Sequence, residues 1–241
     1  MMDPLIVTVC IIGVATLIRA IFGFGDALFA MPILVLTLGL EKSAPLVAMM
    51  GAIIGIVMIA REWKHIQFTC AWHLVLGSFL GIPIGLLFVS RVNEGLVLFI
   101  LATLLTTTAL FNIFQPKTTL SMPTKATWIF GFLAGLAGGA YNTQGPVVVV
   151  FGTLKGWTPK QFRATLQGYF LPTTLCIVTS HIISGHVTPT IMKMFAFGLP
   201  GLIAALAIGG WINKTLSPAR FQKALNALLL GIALLLFIKV F

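Results

Sequence analysis

Charged residues are scarce in this sequence, since only 8% of its 241 residues are Asp, Glu, Lys or Arg and 59% are hydrophobic. A soluble domain has roughly 25% charged residues. So few charges cannot cover a surface that faces water. The composition therefore excludes a soluble globular protein and indicates that lipid surrounds most of the chain.

Motifs for catalysis and cofactor binding are missing as well. No H-E-x-x-H, G-x-S-x-G or GxxxxGK[ST] pattern occurs, so no zinc, acyl-enzyme or nucleotide site is indicated. The three cysteines are isolated and imply neither disulfides nor a metal site. We expect no cofactor and no nucleic-acid partner. The net charge of +10 is assigned to short loops that set orientation and contact anionic lipid.

Long uncharged runs are what the sequence does contain. Lys, Arg, Asp and Glu are absent from residues 65–90, 95–116, 126–154 and 164–192. A helix that crosses the hydrocarbon needs about 20 apolar residues. Apolar and polar residues do not alternate in these runs, as they would in barrel strands, so helices are predicted. The first run, 5–21, lacks the basic start and cleavage site of a signal peptide, and we expect a retained helix.

Glycines, prolines and charged residues divide the chain into ten hydrophobic segments. Those of the first half are 5–22, 27–40, 43–60, 70–90 and 95–114. Those of the second half are 127–140, 145–155, 160–182, 190–212 and 221–239. The polar stretch 115–126 between them is predicted to be a cytoplasmic linker. The expected domains are a first repeat over 1–114 and a second repeat over 127–241.

The two halves share a pattern that indicates an internal repeat. In each, a glycine-rich break precedes a proline that opens a short apolar segment: Gly23-Phe24-Gly25 before Pro32, and Gly138-Gly139 before Pro146. Order and spacing are kept with a few insertions. Segment 145–155 is too short to span the membrane at about 1.5 Å per residue, so a broken or re-entrant helix is predicted there.

The distribution of cations predicts the direction of the repeats. With five segments in each half, and with Arg19 left out because it lies inside a segment, ten cations lie on one side of the membrane. Four lie on the other side: Lys42, Arg91, Lys193 and Lys239. If the first two segments of each half are merged into one span, eight cations lie on one side and six on the other, which is a weaker bias. Because cations favour the cytoplasmic side and five is odd, the second half is inverted and both termini lie outside. The predicted fold is an all-α polytopic integral membrane protein of two inverted five-segment repeats.

The breaks are candidate anion sites. Gly23, Gly25 and Gly139 allow the backbone to leave a helix, and a helix that starts afterwards presents free N–H groups and a positive dipole end. Inverted repeats would bring two such starts together near the midplane. The alternative is that the glycines and prolines only permit kinks and close helix packing.

Around these breaks the sequence resembles the sulfite exporter TauE/SafE family over most of its length. The likeness lies in Phe22-Gly23-Phe24-Gly25 with Pro32, in Gly135-Leu136-Ala137-Gly138-Gly139 with Gly145-Pro146, and in Lys155-Gly156-Trp157 with Gln161-Phe162-Arg163-Ala164-Thr165-Leu166. The resemblance implies an inner-membrane permease for sulfite, sulfoacetate or another organosulfur anion.

Arg19 and Asp26 are the charged candidates at the first break, because charges within a membrane are costly and usually functional or paired. Arg19 would neutralise the anion, and Asp26 would position it or carry a proton. Alternatively the two form a structural ion pair, or Asp26 caps the second helix.

Polar side chains provide further candidates. Tyr141, Asn142, Thr143 and Gln144 form the second break and could donate hydrogen bonds to sulfite or sulfonate oxygens, or they form a polar turn near the surface. Arg163 and Gln167 share a helix face. Arg163 could bind an oxyanion through its fork, although a loop cation at the cytoplasmic edge is the favoured interpretation.

The predicted function is therefore secondary transport, with export favoured, and not enzymatic catalysis. With no ATP motif, the energy must come from a gradient or from a partner subunit. An accessory or scaffold membrane subunit is the alternative, and an intramembrane enzyme is disfavoured because five acidic residues and four scattered histidines supply no catalytic cluster. A coupling proton or ion and a homo-oligomeric state stay open.

Overall fold

The computed structural model describes residues 4–89, 94–114, 123–215 and 217–240, and within these it contains ten α-helices, one 3₁₀ turn and no strand. The helices are α1 (Pro4–Phe22), α2 (Asp26–Leu38), α3 (Leu40–Glu62), α4 (Phe68–Val89), α5 (Glu94–Phe114), α6 (Thr124–Tyr141), α7 (Gly145–Leu154), α8 (Pro159–Ile183), α9 (Pro189–Thr215) and α10 (Pro218–Val240).

Each helix corresponds to one predicted segment, and the all-α membrane architecture is confirmed. Within the described residues, four stretches are long and apolar enough to cross a membrane: Leu5–Phe22, Leu40–His65, Phe68–Leu87 and Pro189–Asn213. Large apolar side chains such as Leu87 and Trp211 are exposed, as expected of a surface in lipid. Of the predicted linker, residues 115–122 lie outside the described part, and α6 begins at Thr124.

Local sequence explains where several helices begin. Pro159 is the first residue of α8, and Thr158 before it forms a capping box with Gln161, an arrangement that satisfies N–H groups at a helix start. Pro189 and Pro218 likewise begin α9 and α10. A single residue, Gly39, joins α2 to α3 with a positive φ of 79°, a conformation that glycine adopts without strain.

The closest helix contact is a seam of glycines between α4 and α6. It comprises Gly77, Gly81 and Gly85 of α4 and Gly131, Gly135 and Gly139 of α6. A Cβ atom added to Gly135 would lie 2.5 Å from the Ser78 carbonyl oxygen. Small residues spaced by four let helix backbones approach this closely in membranes.

The remaining long helices pack in pairs. The α1 helix packs on α9, α5 on α10, and α3 on α8. Helix α8 also contacts α4, as α3 contacts α9. Short helices α2 and α7 follow α1 and α6, and each contacts the helix before it. This packing brings the α1–α2 and α6–α7 breaks into the interior.

Candidate functional site

The first break lies between α1 and α2. Gly23 and Gly25 have positive φ angles of 85° and 101°, which other residues rarely adopt. Gly25 is the N-cap of α2 and Asp26 is its first residue, without a side-chain capping bond. The suggestion that Asp26 caps this helix is therefore wrong. Pro32 lies in the interior of α2, so it does not open the helix as predicted.

The second break occupies residues 142–144, within the polar stretch that was predicted to form it, but Gly138 and Gly139 are not part of it. Helix α6 continues through Gly138 and Gly139 to Tyr141, and the chain turns at Asn142, which has a φ of 55°. Asparagine enters this left-handed region more easily than most residues. Gly139 instead belongs to the glycine seam, where it packs on the Ile82 backbone. Pro146 does stand at the start of α7, as its second residue.

Both helix starts line one cavity. The cavity holds about 370 Å³ of empty space, including the part that is open to the outside. Its lining comprises Arg19, Gly25, Asp26, Ala27 and Leu28 from the first break, Asn142, Thr143, Gln144 and Gly145 from the second, and Val47, Ala48, Gly51, Phe170 and Thr174 from α3 and α8. The first-turn N–H groups of a helix have no partner within it, and two such turns meet here.

Arg19 is the cation of this cavity, and only 3% of its surface is exposed. Its Nη1 donates to Asp26 Oδ2 at 2.8 Å, and its Nη2 donates to Gln167 Oε1 at 3.2 Å. The guanidinium carbon lies 5.0 Å from the centre of the Phe170 ring, within the range of a cation–π contact. The Nε atom is buried and has no hydrogen-bond partner. Arg19 thus forms the ion pair that was one of its two expected roles, and its Nε donor is unused.

Gln167 connects this arginine to the first break. Besides accepting from Arg19, its Nε2 donates to the Gly23 carbonyl oxygen at 2.6 Å. The side chain is fully buried. Gln167 therefore holds Arg19 and the turn at Gly23 in a fixed relation, although neither Gln167 nor Gly23 lines the cavity.

The polar residues of the second break are buried and hydrogen-bonded. Asn142 Nδ2 donates to the Ala44 carbonyl oxygen at 2.9 Å, and Thr143 Oγ1 donates to that of Ala137 at 3.2 Å. Gln144 Nε2 lies 3.5 Å from Thr174 Oγ1, and Gln144 Oε1 is buried with no hydrogen-bond partner. The alternative of a polar turn near the surface is therefore wrong. Tyr141 is buried too but does not line the cavity.

Arg163 lies apart from the cavity. It is in the second turn of α8 and not in a loop, and its guanidinium binds Glu62 with Nη2 at 2.6 Å and Nε at 3.4 Å. Its Nη1 also donates to the Ile21 carbonyl oxygen at 3.1 Å, as Asn213 Nδ2 does at 2.6 Å. Arg163 therefore supports the first break from outside and does not share a site with Gln167. Glu62, Phe170, Thr174 and Asn213 were not singled out from the sequence.

These features define a class: a multi-pass helical membrane protein in which two interrupted helices and a buried ion pair enclose a polar cavity. A family model described as Sulfite exporter TauE/SafE matches residues 8–236. The chain therefore belongs to the sulfite exporter TauE/SafE family, and the resemblance seen in the sequence is confirmed. Membership in this family indicates a membrane anion transporter. No match is found among curated proteins or among solved structures.

Proposed function

We propose that this protein is a secondary transporter that exports a small organosulfur anion, such as sulfite or a sulfonate like sulfoacetate, across the inner membrane. The observation that carries the proposal is that Arg19 and the starts of α2 and α7 line the same cavity. Membership in the family supports a sulfur oxyanion as substrate.

The chemistry of the cavity suits a sulfite or sulfonate group, whose oxygens accept several hydrogen bonds. A helix start contributes about 0.3–1 kcal/mol toward an anion, and up to about 2 kcal/mol when partly buried. Arg19 adds a buried positive charge with a free Nε donor. Together these groups support affinities in the micromolar to millimolar range, about −8 to −4 kcal/mol. Such an affinity allows both capture and release.

We further propose that residues 1–114 and 127–241 form two inverted repeats. In this repeat, helices α1 to α5 correspond in order to helices α6 to α10. If every helix is exchanged with its counterpart, the α4–α6 contact becomes the α9–α1 contact, which is also present, and the α3–α8 and α5–α10 contacts are unchanged. The breaks are also tethered alike. Asn142 of the second break bonds Ala44, the fifth residue of α3, and Arg163, the fifth residue of α8, bonds Ile21 at the first break.

This arrangement favours periplasmic termini and a cytoplasmic linker at 115–126, in keeping with the cation bias. Gradients of the substrate or of a coupling ion would drive transport. Each repeat contributes one helix start to the cavity, so rocking of one half against the other would expose the anion to either side in turn.

Uptake of radiolabelled sulfite and methanesulfonate into liposomes that contain only the purified full-length chain tests the transport proposal. We expect saturable uptake that protein-free liposomes lack. Gln144→Leu should lower kcat/KM by about tenfold or more, since a hydrogen bond to a charged group contributes about 1.5–3 kcal/mol.

Gln67→Leu is the matched control, because Gln67 lies outside the cavity and its described hydrogen bond to Thr165 uses the backbone N–H. This variant should transport as the wild type does. A purified chain that moves neither anion would favour the accessory-subunit alternative, and equal rates for both glutamine variants would contradict the placement of the site.

A further inference from the structure

We propose that Asp26 carries one proton together with each monovalent anion, in the same direction, so that transport is electroneutral proton–anion symport and export is driven by the outward gradient of the anion. The proposal rests on the anion site proposed above. It follows from the charges that the cavity can hold in its empty and its loaded state.

The empty cavity is electrically neutral. Among the described residues that line it, Arg19 and Asp26 are the only ones with ionisable side chains, and they pair at 2.8 Å. The side chains are 4% and 13% exposed, so the pair is shielded from water. The groups that face it from α3, α7 and α8 include Gly51, Gly145, Phe170 and Thr174, none of which titrates.

An anion that binds Arg19 competes with Asp26 for the same guanidinium. One N–H of Nη2 is bonded to Gln167 and one N–H of Nη1 to Asp26, so the anion and the carboxylate compete for a single positive charge. Asp26 also lies in the first turn of α2, where its negative charge opposes an anion that approaches the same helix start. Binding of an anion to both groups is therefore favoured only when the carboxylate has left or lost its charge.

Among the described residues that line this cavity, a displaced Asp26 finds no second cation. Asp26 also borders a second cavity, which holds about 240 Å³ of empty space including the part that is open to the outside. Its other lining residues are Ile12, Ala15, Thr16, Ala30, Val47, Met50 and Ile54. Thr16 supplies the only polar side chain among them. Because an unpaired charge in such surroundings is costly and the group neutralises instead, the carboxylate takes up a proton from the side on which the anion enters.

Two neutral states result. In the empty state Arg19 pairs with ionised Asp26, and in the loaded state Arg19 pairs with the anion while Asp26 is protonated. Mixed states leave a net charge in the buried cavity and are disfavoured during reorientation. Release of the anion on the far side returns Arg19 to Asp26, and the carboxyl gives up its proton there.

Methanesulfonate is the probe, because it stays monovalent over the whole useful pH range. In liposomes that contain the wild-type chain, the external pH is followed with an electrode while labelled methanesulfonate enters. We expect one proton per anion and no effect of a potassium–valinomycin potential. A pH difference of one unit should support up to about tenfold accumulation, because the two gradients balance at equilibrium.

Asp26→Asn separates exchange from net transport. With the anion bound, this variant is neutral, but its empty form leaves Arg19 unpaired. We therefore expect methanesulfonate exchange to persist, accumulation driven by a pH gradient to be lost, and binding to become independent of pH. Glu62→Gln is the control, because Glu62 belongs to the ion pair with Arg163 and lines neither cavity. It should keep the proton coupling.

Two outcomes would overturn the coupling while leaving transport intact. One is wild-type movement of methanesulfonate without protons, as expected if the anion binds only Arg19 Nε and leaves Asp26 paired. The other is pH-driven accumulation by Asp26→Asn. If the Asn variant does not fold, the wild-type proton stoichiometry decides alone. A wild-type chain that moves neither sulfite nor methanesulfonate would instead refute the transport proposal, and the coupling with it.

Discussion

The glycine seam between α4 and α6 predicts that a glycine-to-alanine substitution has opposite effects on stability at two sites, one inside the seam and one outside it. We consider Gly135→Ala in the seam and Gly13→Ala in α1. A methyl group at Gly135 would lie 2.5 Å from the Ser78 carbonyl oxygen and 2.6 Å from the Ser78 Cα. A methyl group at Gly13 would have no atom within 4 Å. Both positions are inside helices.

The two magnitudes follow from these distances. The obstacle at Gly135 is backbone, which cannot rotate away, so α4 and α6 must separate. Overpacking of this kind typically lowers the free energy of unfolding by about 1–3 kcal/mol. Because the backbone neighbour is rigid, we expect a loss near the upper value, about 3 kcal/mol. At Gly13 the substitution changes only the helix propensity. Alanine there stabilises the helix by about 0.5–1 kcal/mol relative to glycine.

Thermal unfolding of purified protein in a single detergent provides the assay. At about 2–4 °C per kcal/mol for a chain of this size, Gly135→Ala should lower the apparent Tm by about 6–12 °C. Gly13→Ala should leave it unchanged or raise it by about 1–4 °C. A Gly135→Ala protein as stable as Gly13→Ala would refute the close packing of this seam.

Two further predictions concern the site and the topology. Arg19→Lys should lower the rate of anion transport per mole of folded protein by at least tenfold. The reason is that Lys lacks the planar guanidinium fork that binds Asp26 and Gln167 together. Near-normal rates would show that Arg19 is dispensable. In a background without Cys10, Cys70 and Cys176, a cysteine at position 120, which lies outside the described residues, should react only from the cytoplasm. Labelling of intact cells by an impermeant reagent would contradict the inverted repeats.

The helices could be predicted from the sequence because lipid imposes a simple requirement. Segments must be apolar over a set length, and each of the ten predicted segments coincides with a helix. The ends of the helices were predicted less accurately. Helix α3 extends from Leu40 to Glu62, beyond the predicted 43–60, since charged residues such as Glu41 and Arg61 continue a helix outside the hydrocarbon. Hydropathy reports where lipid ends, and the hydrogen bonds of the helix continue further.

Gly139 was wrongly assigned to the second break because glycine has two uses in membrane helices. Gly23 and Gly25 provide positive φ angles, whereas Gly139 provides a flat surface for another helix. Composition alone cannot separate the two uses. The signal that distinguishes them is a spacing of four that recurs in two helices, Gly77, Gly81 and Gly85 in α4 and Gly131, Gly135 and Gly139 in α6. Within that pattern Gly139 is a packing residue, and the turn falls to Asn142.

The partners of the site residues could be predicted only where they are near in sequence. Arg19 and Asp26 are seven residues apart, and their pairing was anticipated. Gln167 is 148 residues from Arg19, and Glu62 is 101 residues from Arg163. Such contacts depend on how α8 packs against α1 and α3, which hydrophobic patterns do not specify when every face of a helix is apolar.

The two halves contribute different chemistry to a cavity that they frame alike. The first half brings the charges, Arg19 and Asp26, and the second half brings neutral amide and hydroxyl groups at Asn142, Thr143 and Gln144. A binding site in which both halves carried a cation would hold an anion too strongly for release, and one without any cation would lose the competition with water. In the proposed site, a single cation balanced by a displaceable carboxylate gives the anion a charged partner only while it stays bound. We infer that this asymmetry, more than the shared glycine and proline pattern, suits the cavity to a carrier.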